Sequence, residues 1–187
     1  MPLHSYFVLG AFIFLGVILL TRFFFLLRNN YDFIGIPTIE KRYFYAGKVA
    51  IFSTWILFIF KSFLPKLGYI DHPDYISWIA VIILWAGAIF FAGGLIHLGI
   101  ALKLGLPGSE TKLITNGIYQ ISRNPVYFGM YLISAASCIY FPDLINLSFA
   151  LYGIYMHHKI IRGEEVFLAR RFGTDWIIYS ARVSRYL

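Results

Sequence analysis

Five apolar stretches, each near the ~20 residues that a helix needs to cross a bilayer, lie at about 5–27, 44–64, 76–101, 125–141 and 144–161. In hydrocarbon each backbone polar group must find its partner within the segment, so runs of this length are read as helices. The last two are separated only by Pro142 and Asp143, which forces an antiparallel helical hairpin. Charge agrees with this reading. Charged residues make up 13% of the 187 residues and hydrophobic ones 59%, whereas soluble domains carry roughly 25% charged residues. The expected fold is all-α: a polytopic membrane bundle of about five transmembrane helices in one domain, 1–187. The opening "MPLHSY" has no basic region before the first run, so that span is expected to be retained rather than cleaved as a signal.

The basic residues orient the bundle. Arg28, Lys41, Arg42, Lys103, Lys112, Arg123, Lys159, Arg162, Arg170, Arg171, Arg182 and Arg185 fall on one side, and Arg22 and Lys48 lie in spans near it. Only Lys61 and Lys66 fall on the other. By the positive-inside rule this places the N-terminus outside and the C-terminus in the cytoplasm. The net charge of +7 is then mostly this asymmetry and an attraction to anionic membrane lipid. No soluble basic domain exists to hold nucleic acid. The single Cys138 excludes an internal disulfide, and His4, His72, His97 and the adjacent pair His157–His158 are too scattered to suggest a metal site.

The two halves differ. Residues 1–75 read as two scaffold spans with plain connectors, and 90–187 as the working half. In "AGGLIHLG" the glycines Gly93, Gly94 and Gly99 surround His97. They offer either close helix packing or a thin wall for a ligand. Gly105, Pro107 and Gly108 break the helix that follows, and Asn116-Gly117 signals a turn. Farther on, Phe172, Trp176, Tyr179, Val183 and Tyr186 recur at helical spacing, the pattern of an amphipathic C-terminal helix, with Gly173 capping the helix before it.

Two stretches carry the candidate chemistry. In "ISRNPVYFGMYL" Asn124 suits an N-cap and Pro125 the first helical turn. The fourth helix therefore opens on the cytoplasmic side with its positive dipole end, and Arg123 adds charge there, forming an anion seat. In "RGEEVFLARRFG" Glu164 and Glu165 stand at the end of span five, where carboxylates oppose the dipole. The short hairpin returns them to the surface where Arg123, Asn124 and Tyr127 lie. A site with a cationic end, a carboxylate end and the rings of Tyr119, Tyr127, Trp176 and Tyr179 suits a zwitterion carrying a flat base or a sulfonium cation.

The order and spacing of "TKLITNGIYQISRNPVYFG" and "EEVFLARRFGTDWIIYSARV" resemble the integral-membrane methyltransferases, namely the isoprenylcysteine carboxyl methyltransferases and related phospholipid N-methyltransferases. The likeness covers about residues 105–185. It implies S-adenosylmethionine as methyl donor and a lipophilic or lipid-borne acceptor that presents a carboxylate, thiol or amine. By position, Thr111, Lys112, Leu113 and Ile114 would give the donor backbone contacts. Tyr119, Asn124, Pro125, Val126 and Tyr127 would line its pocket, and Glu164 would meet its ammonium. Arg123, Tyr127, Glu165 and Arg182 are the candidate catalytic residues, with Glu165 or Tyr127 as base for an amine. Two positions depart from the family pattern. Its His is Asn124 here, which cannot act as a base. The Arg that reads a prenylcysteine carboxylate is replaced by Ile160, leaving Arg162 or Arg182 to substitute. Two other readings compete: an NADPH-dependent sterol-type reductase, whose closing cadence "FGTDWIIYSARV" shares, and a non-catalytic scaffold of the same fold.

Overall fold

The computed structural model describes residues 1–28, 35–68, 73–99, 103, 105–106 and 111–187. His72, Pro107, Gly108 and the end of the third apolar stretch lie outside them. The described chain is all-helical apart from one antiparallel bridge between Ile36 and Leu106. It runs α1 (Leu3–Arg28), α2 (Lys41–Phe63), α3 (Asp74–Leu98), a short 3-10 turn (Gly117–Gln120), α4 (Pro125–Tyr140), α5 (Leu144–Phe172) and α6 (Thr174–Arg182). The first five helices occupy the five apolar stretches. Of these, α1, α2 and α3 are long and apolar enough to cross a membrane, and α4 is apolar but only 16 residues long. Their outer faces carry exposed Ile13, Leu20, Phe24, Ile56, Ile82 and Ile89, side chains that suit lipid rather than water.

Asp143 turns the 4–5 hairpin: its carboxylate accepts from the backbone of Ile145 at 2.8 Å and of Asn146 at 3.4 Å, the N-cap role for which an Asp is suited. Beneath the turn a small polar network joins three helices. Thr54 meets Ser134 at 2.9 Å, Ser137 donates to the Thr54 carbonyl at 2.7 Å, and Asn146 donates to Ser137 at 3.1 Å. Such interhelical hydrogen bonds hold spans together where lipid leaves little hydrophobic drive for association.

Helix α5 runs past the expected end at 161 to Phe172, because nothing breaks it before Gly173, whose φ of +51° supplies the left-handed cap. Glu164 and Glu165 are therefore two turns inside the helix, and Arg170 and Arg171 occupy its last turn. The expected opposition between the two carboxylates and the helix dipole does not arise. The C-terminal helix forms and buries Trp176 and Tyr179, but it stops at Arg182. Val183 is extended at φ −118°, ψ 129°, so the helical period does not reach Tyr186.

Glycine sets the approach of α3 to α4. A Cβ on Gly129 would stand 2.5 Å from the Phe91 nitrogen and 2.6 Å from the Gly87 carbonyl oxygen, and one on Gly94 would stand 2.6 Å from Val126. For Gly94 the packing reading of the "AGGLIHLG" stretch holds. Gly129→Val drives a branched side chain into backbone and is expected to lower stability by about 1–3 kcal/mol; thermal unfolding in detergent checks this.

Candidate functional site

Pro125 opens α4 as its first residue and Asn124 takes the N-cap position, but the Asn124 side chain makes no capping bond. Its amide instead donates to Glu165 Oε1 at 3.2 Å and to the Arg185 carbonyl at 3.2 Å. Glu165 is what draws it away. Arg123 donates to the same Oε1, at 3.3 Å from Nε and 3.2 Å from Nη2. Arg185 grips Oε2 through Nε at 2.9 Å and Nη2 at 2.7 Å. The Glu165 side chain is 11% exposed, so this carboxylate is desolvated and matched by two guanidiniums and an amide.

These bonds fasten the tail to the start of α4. Arg123 also donates through Nη1 to the Ser180 carbonyl at 2.7 Å and through its backbone to Ser184 at 3.0 Å. Tyr179 donates to the Tyr119 carbonyl at 2.7 Å, and Tyr186 meets His158 at 2.7 Å. The cation at the helix start is thus engaged by a carboxylate of the chain itself, and the expected anion seat is filled from within.

Neighbouring residues on a helix point about 100° apart, and the two glutamates divide accordingly. Glu164 turns away from the guanidiniums and accepts from the Tyr127 hydroxyl at 2.8 Å. It lies beyond the apolar stretch of α5. Burial pushes its carboxyl up to about 7, against the smaller opposing pulls of the Tyr127 hydrogen bond and Lys48. Burial likewise raises the Tyr119 phenol, helped by Tyr179 and Glu164, and pushes Tyr179 up to about 12. Both phenols are neutral donors at any physiological pH.

Glu164 faces a half-open cavity of about 170 Å³ bordered by the end of α3, the loop before α4, the opening turn of α4, α5 and α6. Thr111, Lys112, Leu113, Ile114, Tyr119, Asn124, Val126 and Tyr127 all line it, as do Arg123, Trp176 and Tyr179. Pro125 does not: it is buried against Gly94. Glu165 is likewise absent from the wall, its oxygens taken by Arg123, Arg185 and Asn124, which leaves it poorly suited to act as a base. Arg182 is exposed at the end of α6 and Arg162 is exposed on α5, so neither is brought to the cavity.

The sequence reading missed Arg185, which holds Glu165, and Phe167 and Leu168, which line the cavity. A signal for the last two was available, since positions three and four after Glu164 share its helix face. Among the described residues no group of three His, Cys, Asp or Glu side chains is arranged to hold a metal ion.

The phospholipid methyltransferase family model matches residues 75–175, more than half of the chain, from the first turn of α3 into α6. That stretch contains the whole of Thr111–Tyr127 and both glutamates. No curated protein matches the chain.

Proposed function

The chain belongs to the phospholipid methyltransferase family, and from that premise we propose that it moves a methyl group from S-adenosylmethionine to a lipid-borne acceptor at the cytoplasmic membrane surface. The observation that carries this reading is the cavity in which Glu164, backed by Tyr127, faces Thr111–Ile114 and the rings of Tyr119, Trp176 and Tyr179. The donor set fits the proposed donor. A carboxylate suits an ammonium, aromatic faces suit an adenine and a sulfonium, and Lys112 is a cation on the wall for a carboxylate.

When bound, S-adenosylmethionine would supply an electrophilic methyl, to be taken up by an acceptor lone pair as the S–C electron pair returns to sulfur and the neutral thioether leaves. The residues of this chain orient and exclude water. Glu164 holds the ammonium, Tyr127 fixes the Glu164 carboxylate, and the buried ring pair Trp176–Tyr179, docked through Tyr119, closes the site from the tail. A carboxylate or thiolate acceptor needs no base. For an amine, Asn124 has no basic atom, Glu165 is engaged by Arg123 and Arg185, and the Tyr127 hydroxyl gives its proton to Glu164, so none of the candidate bases is free and the amine has to enter with its lone pair unprotonated. Family membership favours methyl transfer over the reductase reading. The charge bias supports a cytoplasmic C-terminus, the side from which a soluble donor would come.

The direct test is to incubate the protein in lipid nanodiscs with methyl-labelled donor and a membrane lipid extract. Label in the lipid fraction supports the reading; none in any lipid class, with folded protein, contradicts it.

A pH dependence follows from Glu164. In the free protein its carboxyl titrates near 7, and an ammonium pairs with the ionised form only. Donor affinity is expected to fall as pH falls through 7, by about tenfold from pH 8 to pH 6. The stability of the free protein responds in the opposite sense. The folded state holds this proton more tightly than the unfolded chain, so the contribution of Glu164 is present at low pH and lost as pH rises from 4.5 through 7. Calorimetric titration with S-adenosylhomocysteine at pH 6, 7 and 8, with Glu164→Gln as a pH-insensitive control, checks the first sign. Unfolding temperatures of the free protein check the second.

A further inference from the structure

The apolar period that marks the C-terminal helix in the sequence is turned inward: Trp176 and Tyr179 are buried, and both line the cavity that Glu164 faces. A second apolar stripe remains outside. Thr174, Ile177, Ile178 and Ala181 are spaced by three, one and three residues, which sets them on one side of a helix, away from Trp176 and Tyr179. All four are exposed, Ile177 at 64% and Ile178 at 46%. Single exposed apolar side chains are ordinary. A stripe of them along a helix of nine residues, outside the apolar stretches, is a surface that water does not suit.

The course of the tail says what lies against it. Helix α5 carries residues 162–172 past its apolar stretch, about 16 Å of helix. After Gly173 the chain turns back. The Ser184 and Arg185 carbonyls accept from Arg123, Ser122 and Asn124, at the start of the fourth apolar stretch. Tyr186 then meets His158 at 2.7 Å and the Tyr131 ring at 5.5 Å between centres. Tyr131 and His158 belong to the fourth and fifth apolar stretches, so the tail returns to the edge of the hydrocarbon and α6 crosses the headgroup depth on the way. Leu187, at the lower end, is 67% exposed. The charge along this course is positive. Arg162 and Arg170 are exposed on α5, and so is Arg182, one turn after Ile178 on the same side of α6. Asp175 is the one exposed acidic side chain between 162 and 187. An apolar stripe edged by arginines at this depth suits the headgroup–acyl boundary of an anionic bilayer.

Resting on the reading of the cavity as the donor site, we propose that the outward face of α6 docks on the anionic headgroup layer of the bilayer that the protein spans, and that this docking holds one wall of the donor site in place. Ile177, Ile178 and Ala181 enter the acyl boundary, while Arg162, Arg170 and Arg182 meet lipid phosphates. On its other side the same helix presents Trp176 and Tyr179 to the cavity, so ordering the outer face orders the inner wall. Donor affinity thereby depends on the charge of the membrane. A second copy is the poorer occupant, because a chain of net charge +7 would set one arginine-edged face against another.

The test uses the full chain in nanodiscs of phosphatidylcholine, alone or mixed with phosphatidylglycerol. Without donor, amide exchange over 174–182 is expected to slow at least tenfold in the anionic discs, and the gain to vanish at high salt. S-adenosylhomocysteine should bind at least threefold more tightly in the anionic discs. Ile177→Ser combined with Ile178→Ser should remove both differences. Equal exchange in the two kinds of disc would overturn the proposal, as would a double variant that behaves as its parent. Protection that appears in both lipid compositions, and only when two copies share a disc, would mark a self-association face and overturn it too. The comparison of discs on the unaltered protein decides the matter even where the double variant does not fold. The two readouts keep the claims apart. Donor binding with equal exchange in both discs removes this inference alone, whereas lipid-dependent exchange without donor binding supports the docking and removes the donor site.

Discussion

Glu165→Ala is expected to cost about 3–5 kcal/mol of stability and to free the chain after Gly173. The size of the effect follows from what the deletion leaves behind. Arg123 and Arg185 would face each other across the vacated carboxylate, with the Arg123 side chain only 12% exposed. A guanidinium buried without its counterion costs more than the salt bridge itself contributes. The Asn124 amide would lose one of its two acceptors, and the tail would lose the residue that joins Arg185 to α4. Glu165→Ala with Arg185→Ala should recover part of the loss, because the second change removes one of the stranded charges. Thermal unfolding in nanodiscs measures the stability, and amide exchange over 174–187 measures the release of the tail. A Glu165→Ala protein as stable and as protected as its parent would show that the cluster holds nothing together.

Glu164→Gln is expected to act on the ligand and spare the fold. It keeps the size of the side chain and leaves an oxygen to accept from Tyr127, but it removes the charge. Loss of one charge-assisted contact in a partly buried site costs about 1.5–3 kcal/mol, roughly tenfold to more than a hundredfold in donor affinity. The free protein should become somewhat more stable near pH 8, because a carboxylate ionised against its burial is no longer present. Glu165→Gln reverses the pattern, losing stability first. Donor affinity unchanged in a folded Glu164→Gln protein would remove Glu164 from the site.

The helices were legible because hydrocarbon imposes length and apolarity at once, and both are printed in the sequence; α1, α2 and α3 meet both conditions, whereas α4 is apolar but short. The lining of the cavity was legible through family likeness, which carried Thr111–Ile114, Tyr119 and Asn124–Tyr127 to one place with only Pro125 turned elsewhere. What failed shares a physical cause: polar residues were assigned by sequence position where three-dimensional pairing decides. Hydropathy ends span five at 161, but helix propagation needs only the absence of a breaker, so α5 continues to Phe172, just before Gly173, and carries the glutamates inside it. Asn124 has the composition of a cap, yet Glu165 offers its amide a charged acceptor. Arg185 was not singled out, and the helical spacing was extended to Tyr186. The helix stops at Arg182, and the extended chain after Val183 brings Arg185 back to Glu165. Nothing local in the sequence marks that reversal.

The central claim is that the cavity between the 111–127 segment, α5 and α6 is a donor site. Its most direct test is titration of the unaltered protein in nanodiscs with S-adenosylhomocysteine at pH 8, followed by amide exchange with and without ligand. One saturable site is predicted, with protection gained over 111–127 and 164–179. Folded protein that shows neither binding heat nor a change in exchange over those segments would contradict the claim.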